Sequence, residues 1–126
     1  MVVIDSDILI WVLRGNPQIT EKFNKTVVET EGSIFITPVQ IAEIYAGVLP
    51  KEKAAVESFM SSLGVLSIDE KIGRLAGDFI HKFGRSHSVT LADALVASAS
   101  RINGYEIWTR NKKHYPMLEA DEFFKE

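Results

Sequence analysis

The chain has 126 residues, a length that fits one compact domain and leaves little room for a second core. Hydrophobic residues make up 46% of it and charged residues 25%, which is the balance of a globular protein and argues against disorder. The net charge of -3 argues against a surface covered in nucleic-acid-binding groups, because phosphate binding usually leaves a basic footprint. With 0 Cys, disulfides, thiolate metal sites and a cysteine nucleophile are excluded. We therefore expect one domain over residues 1–126 with one active site.

No segment has the pattern of a membrane span or an export signal. The longest apolar run, Ile8–Leu13, is far shorter than the roughly 20 residues that a membrane-spanning helix needs. The N-terminus lacks the basic region and small-residue cleavage site of a signal peptide. We expect a cytoplasmic protein without membrane association.

In the first half of the chain the apolar pattern alternates between strand and helix. It predicts a strand, two helices, a second strand and a third helix, in that order: Val2–Ile4, Ile8–Leu13, Gln18–Glu31, Ile34–Ile36 and 38–47. The third helix carries the clearest start signal, a capping box in which Thr37 is the cap, Pro38 takes the first helical position and Gln40 reaches back. Gly47 is the expected end of that helix.

The second half of the chain continues the alternation. It predicts a helix, a short strand, a longer helix, a loop, another helix and a last strand, in that order: Glu52–Leu63, Val65–Ile68, Glu70–Phe83, Gly84–Ser88, 91–103 and Glu106–Thr109. Thr90 caps the last helix and Gly104 provides a left-handed stop. Alternating strands and helices predict a three-layer α/β/α sandwich with a central, mostly parallel sheet.

Oxygen-bearing side chains follow the predicted strands at the edge where an open parallel sheet binds ligands. They lie after the first strand, on the helix after the second strand, on the helix before the last strand and after the last strand: Asp5, Ser6, Asp7, Glu43, Asp93, Thr109 and Asn111. All these elements can deliver oxygen ligands to one edge of the sheet.

Each acid also has an ordinary structural interpretation, which is favoured when the acids are considered singly. Asp5 or Asp7 can cap the helix near Ile8, Asp93 can complete a capping box with Thr90, and Glu43 can be a solvated helix charge; Asn111 can likewise cap a turn. Carboxylates gathered at one edge, however, repel one another unless a cation neutralises them. Oxygen ligands without Cys favour Mg²⁺ or Mn²⁺ over Zn²⁺, and Mg²⁺ commonly completes its coordination with phosphate oxygens. The cluster as a whole therefore predicts phosphoryl chemistry.

Four segments in this order resemble the PIN-domain nucleases and, among them, the VapC toxins of type II toxin–antitoxin systems. They are VIDSDIL at Val3–Leu9, IAEI at Ile41–Ile44, LADALVA at Leu91–Ala97 and WTRNKKHY at Trp108–Tyr115. Each segment alone is weakly specific, but the ordered set covers nearly the whole chain. The resemblance implies a Mg²⁺-dependent endoribonuclease that hydrolyses RNA phosphodiesters and leaves a 3'-hydroxyl and a 5'-phosphate.

The resemblance also implies roles for individual residues. Asp5, Glu43 and Asp93 would hold the metal, with Asp5 and Asp93 as the principal ligands and Glu43 orienting or deprotonating the attacking water. Asn111 stands at a fourth position that is acidic in many relatives, which puts a second tightly bound metal in doubt. Ser6, Asp7 and Thr109 would support the site through hydrogen bonds.

Partners follow from the same resemblance. Arg110, Lys112 and Lys113 flank Asn111 and are candidates for contacts to the RNA backbone, although cations near a strand end are as often simply solvated. VapC-like toxins are typically homodimers that are inhibited by an antitoxin protein, whose helix lies across the early helices. The candidates for that apolar groove are Trp11, Tyr45, Phe59 and Met60, with a place in the core the better interpretation for Tyr45.

Two other interpretations stay open at this stage. The Asp5-Ser6-Asp7 motif also resembles the opening motif of haloacid-dehalogenase-type phosphohydrolases, which use the first Asp as a nucleophile. The later helix here offers only Asp93, whereas those enzymes need a Lys and an acidic pair. The second alternative is a non-catalytic PIN-like module that binds RNA or protein, and Asn111 is the one feature that favours it.

Overall fold

Four short strands and six helices make up the fold in the computed structural model, which describes residues 1–126. In chain order the elements are β1 Val2–Ile4, α1 Ser6–Leu13, α2 Pro17–Glu29, β2 Ile34–Ile36, α3 Pro38–Ala46, α4 Lys53–Ser61, β3 Gly64–Val65, α5 Glu70–His87, α6 Leu91–Asn103 and β4 Glu106–Trp108. Short 3₁₀ turns lie at Pro50–Glu52, Lys112–His114 and Ala120–Glu122. None of the helices has the length and apolar character needed to cross a bilayer.

The strands form one parallel sheet in the order β3-β2-β1-β4. β1 lies in the middle of the sheet, with Val2 opposite Ile34 of β2 and Ile4 opposite Trp108 of β4. The Asp5 amide also donates to the Trp108 carbonyl at 3.0 Å, so the chain leaving β1 stays beside the chain leaving β4. The residues that follow these two strands are therefore neighbours at one edge.

Apolar clusters cover both faces of the sheet, because successive strand residues point to opposite sides. Val3 and Ile107 belong to a cluster of 14 buried residues that includes the inner faces of α5 and α6. Val2, Ile4 and Trp108 belong to a cluster of 13 buried residues supplied also by α1 to α4. The predicted α/β/α sandwich is confirmed.

Helix boundaries follow the predicted capping chemistry closely. The Thr37 capping box starts α3, Asn16 caps α2 with Pro17 in the first turn, and Asp69 caps α5. Thr90 caps α6, and Gly104 ends it with a φ of 71°, in the left-handed region where glycine is favoured.

Two boundaries were predicted wrongly. The predicted loop Gly84–Ser88 is helical as far as His87, and α5 ends only at Ser88, whose φ is 53°. One glycine weakens a helix by only about 1 kcal/mol, so Gly84 alone does not end α5. The third strand is only Gly64–Val65, because the chain turns away after the Leu66 amide bonds to Ile36 and prepares the Asp69 cap.

The C-terminal segment extends the edge of the sheet beside β4. Phe123 forms a parallel bridge with Ile107, and the Phe124 amide donates to the Ile107 carbonyl at 2.9 Å. The Phe124 ring packs on the Trp108 ring with 5.1 Å between centroids. Glu126 is thereby brought to the end of β4.

Candidate active site

Asp5 is the half-buried carboxylate at the carboxyl end of the central strand. It is the N-cap of α1, and its Oδ1 accepts from the Ser6 amide at 2.8 Å. Its Oδ2 accepts from the Thr109 hydroxyl at 2.9 Å. Both oxygens are fixed by donors from the two chain segments that leave β1 and β4, and each still has a free lone pair.

Asp7, two positions further along the chain, joins the same two segments. Its Oδ1 accepts from the Ile8 amide, and its Oδ2 accepts from the Arg110 amide at 2.9 Å and the Asn111 side-chain amide at 3.1 Å. Burial raises the pKa of Asp7, the hydrogen bond from the Arg110 backbone opposes this, and the nearby charge of Asp5 raises the pKa further. An acid at position 111 would face Asp7 as a second carboxylate, whereas the asparagine amide gives Asp7 a donor.

Glu43 reaches this group of residues from α3. Its side chain is exposed, and its Oε1 accepts from the Ser6 hydroxyl at 2.7 Å. Because Ser6 also donates its amide to Asp5, one residue links the two acids. Glu43 therefore lies at the solvent side of the site, next to Asp5.

Asp93 stands at the start of α6 and is half-buried. It completes the capping box with Thr90, as its ordinary interpretation predicts: its amide donates to the Thr90 hydroxyl at 3.2 Å and its Oδ2 accepts from the Thr90 amide at 3.4 Å. Its Oδ1 has no partner within the chain.

Tyr115 connects Asp93 with the other aspartates. Its side chain is buried, and burial raises the pKa of its hydroxyl well above the ordinary value. The charge of Asp5 and a hydrogen bond to it raise that pKa further, as do the charges of Asp93 and Asp7. Among the acids, Asp5 affects the phenol most. Sequence reasoning did not assign Tyr115 a role, although it closes the Trp108–Tyr115 segment.

The carboxylates share one edge of the sheet, but they do not form a closed cage. No group of three His, Asp or Glu side chains is close enough to hold a metal ion by itself. The donor set consists of carboxylate oxygens with lone pairs free, which suits a hard cation such as Mg²⁺. Magnesium typically takes one or two carboxylates and completes its shell with water and substrate phosphate, so an open pair of aspartates fits it.

Comparison with known proteins shows to which family the chain belongs. The family model described as the PIN domain matches residues 2–117, nearly the whole chain. The chain belongs to the PIN-domain family. The resemblance predicted from the sequence is thereby confirmed, and nucleases of this family generally depend on a divalent metal ion.

The similarity of this PIN domain extends to individual relatives. It is 32% identical over 120 residues to ribonuclease VapC10 of Mycobacterium tuberculosis, covering 94% of this chain and 89% of that protein. It is 29% identical over 119 residues to ribonuclease VapC19 of the same species, covering 94% of each chain.

Solved structures share the fold of this PIN domain. The DNA-bound VapBC from Salmonella typhimurium is 25% identical with a TM-score of 0.74, covering 90% of this chain and 89% of that one. VapBC2 from Rickettsia felis, bound to a promoter DNA fragment, has a TM-score of 0.79 at 18% identity, covering 98% and 96%.

Membership of the PIN family decides against the haloacid-dehalogenase alternative. Both oxygens of Asp5 accept hydrogen bonds and hold the start of α1.

The basic residues expected to contact RNA are partly engaged within the PIN domain. The Arg110 guanidinium binds the Glu126 carboxylate, and Lys112 lies over the Phe123 ring with 5.3 Å from Nζ to the centroid. Lys113 is exposed and makes no ion pair or hydrogen bond with its side chain. Sequence reasoning missed Glu126 and Lys22, whose contacts join distant parts of the chain.

An apolar groove of about 430 Å³ opens beside Glu43, between α1, α3 and α4. Its apolar lining consists of Ile10, Leu13, Ile44, Val48, Leu49 and Val56. None of the four side chains predicted for a partner groove lines it. Met60 is a buried core residue, Phe59 packs on Phe23, and Tyr45 packs against the core, so only the exposed Trp11 remains available on α1.

Proposed function

We propose that this PIN domain is a Mg²⁺-dependent endoribonuclease and the toxin of a toxin–antitoxin pair. The observation that carries the proposal is the group of carboxylates at the carboxyl end of β1, in which Asp5 is linked to Glu43 through Ser6 and Asp7 is held by the chain that leaves β4. The relatives named ribonuclease VapC10 and VapC19 support RNA as the substrate. We place this activity in the cytoplasm.

Asp5 and Asp93 are the proposed metal ligands. Both are half-buried, and both keep carboxylate lone pairs that no donor of the chain occupies. When bound, the ion neutralises the carboxylates and polarises the scissile phosphate. Thr109 and the Ser6 amide hold Asp5 in position for this role, and Asn111 holds Asp7.

Glu43 is the proposed base. It is exposed and oriented by the Ser6 hydroxyl, so a water molecule that approaches the substrate from solvent can give it a proton. The water oxygen forms a bond to phosphorus while the bond from phosphorus to the 3'-oxygen breaks. The leaving oxygen takes a proton from solvent, and the products are a 3'-hydroxyl and a 5'-phosphate.

Cleavage of RNA with and without Mg²⁺ tests the proposal. Asp5→Asn, Glu43→Gln and Asp93→Asn should each lower the rate by at least about 100-fold, the scale of a lost acid–base or charge-stabilising group. Asp78→Asn is the matched control, because Asp78 is exposed on α5, away from the cluster. Cleavage that continues in EDTA and survives these substitutions would rule out the mechanism. RNA binding without any cleavage would instead establish the non-catalytic alternative.

An antitoxin protein is the proposed occupant of the apolar groove between α1, α3 and α4. An amphipathic helix buries its apolar side in such a groove, and Ile10 and Leu49 are exposed apolar side chains that line it. Solved relatives include a toxin–antitoxin complex from Klebsiella pneumoniae with a TM-score of 0.76. The groove ends beside Glu43, so its occupant can also cover the site.

Copurification tests this pairing. Ile10→Asp should prevent capture of the proposed antitoxin, whereas Val28→Asp, at an exposed apolar position on α2, should not. Capture by both variants would place the interface elsewhere. A homodimer is proposed from the resemblance, and sedimentation analysis of the isolated chain distinguishes it from a monomer.

A further inference from the structure

Four hydrogen bonds from three side chains converge on the carboxylate of Glu126. Lys22 Nζ donates to Oε1 at 2.8 Å, and Trp108 Nε1 donates to Oε2 at 3.1 Å. The Arg110 guanidinium donates through Nε to Oε2 at 3.0 Å and through Nη2 to Oε1 at 2.5 Å. We call Lys22, Trp108 and Arg110 the anion cradle.

The cradle is built on the rigid part of the fold. Trp108 is the last residue of β4, its side chain is fully buried, and the Phe124 ring packs against it. The indole N–H therefore has a fixed direction, and it needs an acceptor, because a buried donor without one destabilises a protein. The two cations are about half exposed, so they can follow a ligand.

The cradle adjoins the candidate active site. The backbone amide of Arg110 donates to Asp7 at 2.9 Å, while its guanidinium lies in the cradle. The preceding residue, Thr109, holds Asp5. The anion cradle and the carboxylate cluster are thus joined through two adjacent residues, Thr109 and Arg110.

The donors suit a phosphodiester as well as a carboxylate. Arginine binds both groups through two parallel hydrogen bonds, and a lysine and an indole N–H add two further donors to an anion with two free oxygens. The Glu126 carboxylate therefore occupies a position that suits a phosphate group, next to the site that is proposed to cut RNA.

We propose that the anion cradle binds a backbone phosphate of the RNA beside the scissile group, and that Glu126 is an internal competitor which RNA displaces. The identity of the ligand as RNA rests on the proposed function. The pKa of Glu126 is lowered to about 2, chiefly by the hydrogen bonds from Arg110, so the side chain is charged at any physiological pH. Its release is therefore governed by competition between anions and not by protonation.

Binding of a short single-stranded RNA in EDTA, where cleavage is prevented, tests the competition. If Glu126 occupies the cradle for nine-tenths of the time or more, Glu126→Gln should tighten binding by about tenfold, because only the free fraction of the cradle binds RNA. It should also steepen the salt dependence by about 0.7 in the logarithmic slope for each additional phosphate that the protein neutralises. The matched control is Glu29→Gln, which removes the same charge from an exposed position on α2 and should change affinity by less than about twofold.

The indole N–H resonances provide a second measurement that needs no cleavage. The chain has two tryptophans, so Trp11, which is 43% exposed, serves as the reference for Trp108. RNA should shift the Trp108 resonance of the unmodified protein, and inorganic phosphate should shift it in Glu126→Gln while Trp11 stays in place.

Equal effects of Glu126→Gln and Glu29→Gln on affinity, or a Trp108 resonance that RNA does not move, would overturn the proposal and leave Glu126 as a structural contact. If Glu126→Gln does not fold, the titration of the unmodified protein decides. Mg²⁺-dependent cleavage would remain intact in all these cases, so failure of the cradle and failure of the nuclease are distinguishable.

Discussion

Thr109→Val tests the hydrogen bonds that hold the central carboxylate. Thr109 is 5% exposed. Its hydroxyl donates to the Asp5 carboxylate at 2.9 Å and accepts from the backbone amide of Asn111 at 3.0 Å. Valine keeps the shape of threonine and loses both bonds. A hydrogen bond to a charged group contributes about 1.5–3 kcal/mol, while the freed Asn111 amide is only half-buried and can turn to water. We expect the free energy of unfolding at pH 7 to fall by about 2–3 kcal/mol.

Urea unfolding measures this loss as a lower midpoint with an unchanged slope. Thr109→Ser is the control, because it keeps the hydroxyl and removes one methyl group, which contributes about 1 kcal/mol. Thr109→Val should also slow RNA cleavage more than Thr109→Ser does, since Asp5 loses one of its two fixed donors. Equal stability of the two variants would refute the argument that this hydroxyl fixes Asp5.

Three further outcomes are expected. The pKa of Glu126 is lowered from 4.5 to about 2, so its contribution to stability is complete above pH 4.5 and is lost as the pH falls toward 2. The free energy of unfolding of wild type should exceed that of Glu126→Gln by about 1 kcal/mol above this window, after solvent screening. Acid titrations followed by circular dichroism should show this difference vanish as the pH falls through the window. Gly64→Ala should lower the free energy of unfolding by about 1–3 kcal/mol in urea, because an added Cβ would lie 2.5 Å from the Phe35 ring; an unchanged midpoint would mean that the ring moves freely. Ser6→Ala should lower the cleavage rate by about tenfold through loss of the bond that orients Glu43, with little change in stability because that bond is exposed; an unchanged rate would remove Ser6 from the site.

The sequence was a good guide to the fold where local chemistry decides the outcome. Capping residues such as Thr37 and Thr90 satisfy backbone donors close to themselves, so their pattern predicts a helix start without knowledge of the rest. The predicted end of α5 failed at Gly84 because a single glycine costs a helix only about 1 kcal/mol, and the next turn continues with an edge-on contact between the Phe83 and His87 rings.

The edge of the sheet at which the acids lie could be predicted from the sequence, whereas the contacts that hold them could not. The position of an acid after a parallel strand predicts the edge of the sheet at which it lies, and Asp5, Asp7 and Glu43 do share that edge. The partners that hold them could not be foreseen, because hydrogen bonds such as those from Thr109 and Asn111 join residues that are 104 positions apart in the sequence. The contact of Lys22 with Glu126 has no periodic signal in the sequence for the same reason, and the ligand roles of Asp5, Glu43 and Asp93 remain predictions.

The donors that hold the first acidic segment arrive late in synthesis. Asp5 and Asp7 bond to Thr109 and Asn111, and each of these pairs is separated by 104 positions. A nascent chain that has not yet exposed β4 has neither the fixed carboxylates nor the adjacent strand. The carboxylates of Asp5 and Asp7 can therefore reach their fixed positions only after the segment that follows β4 has been synthesised.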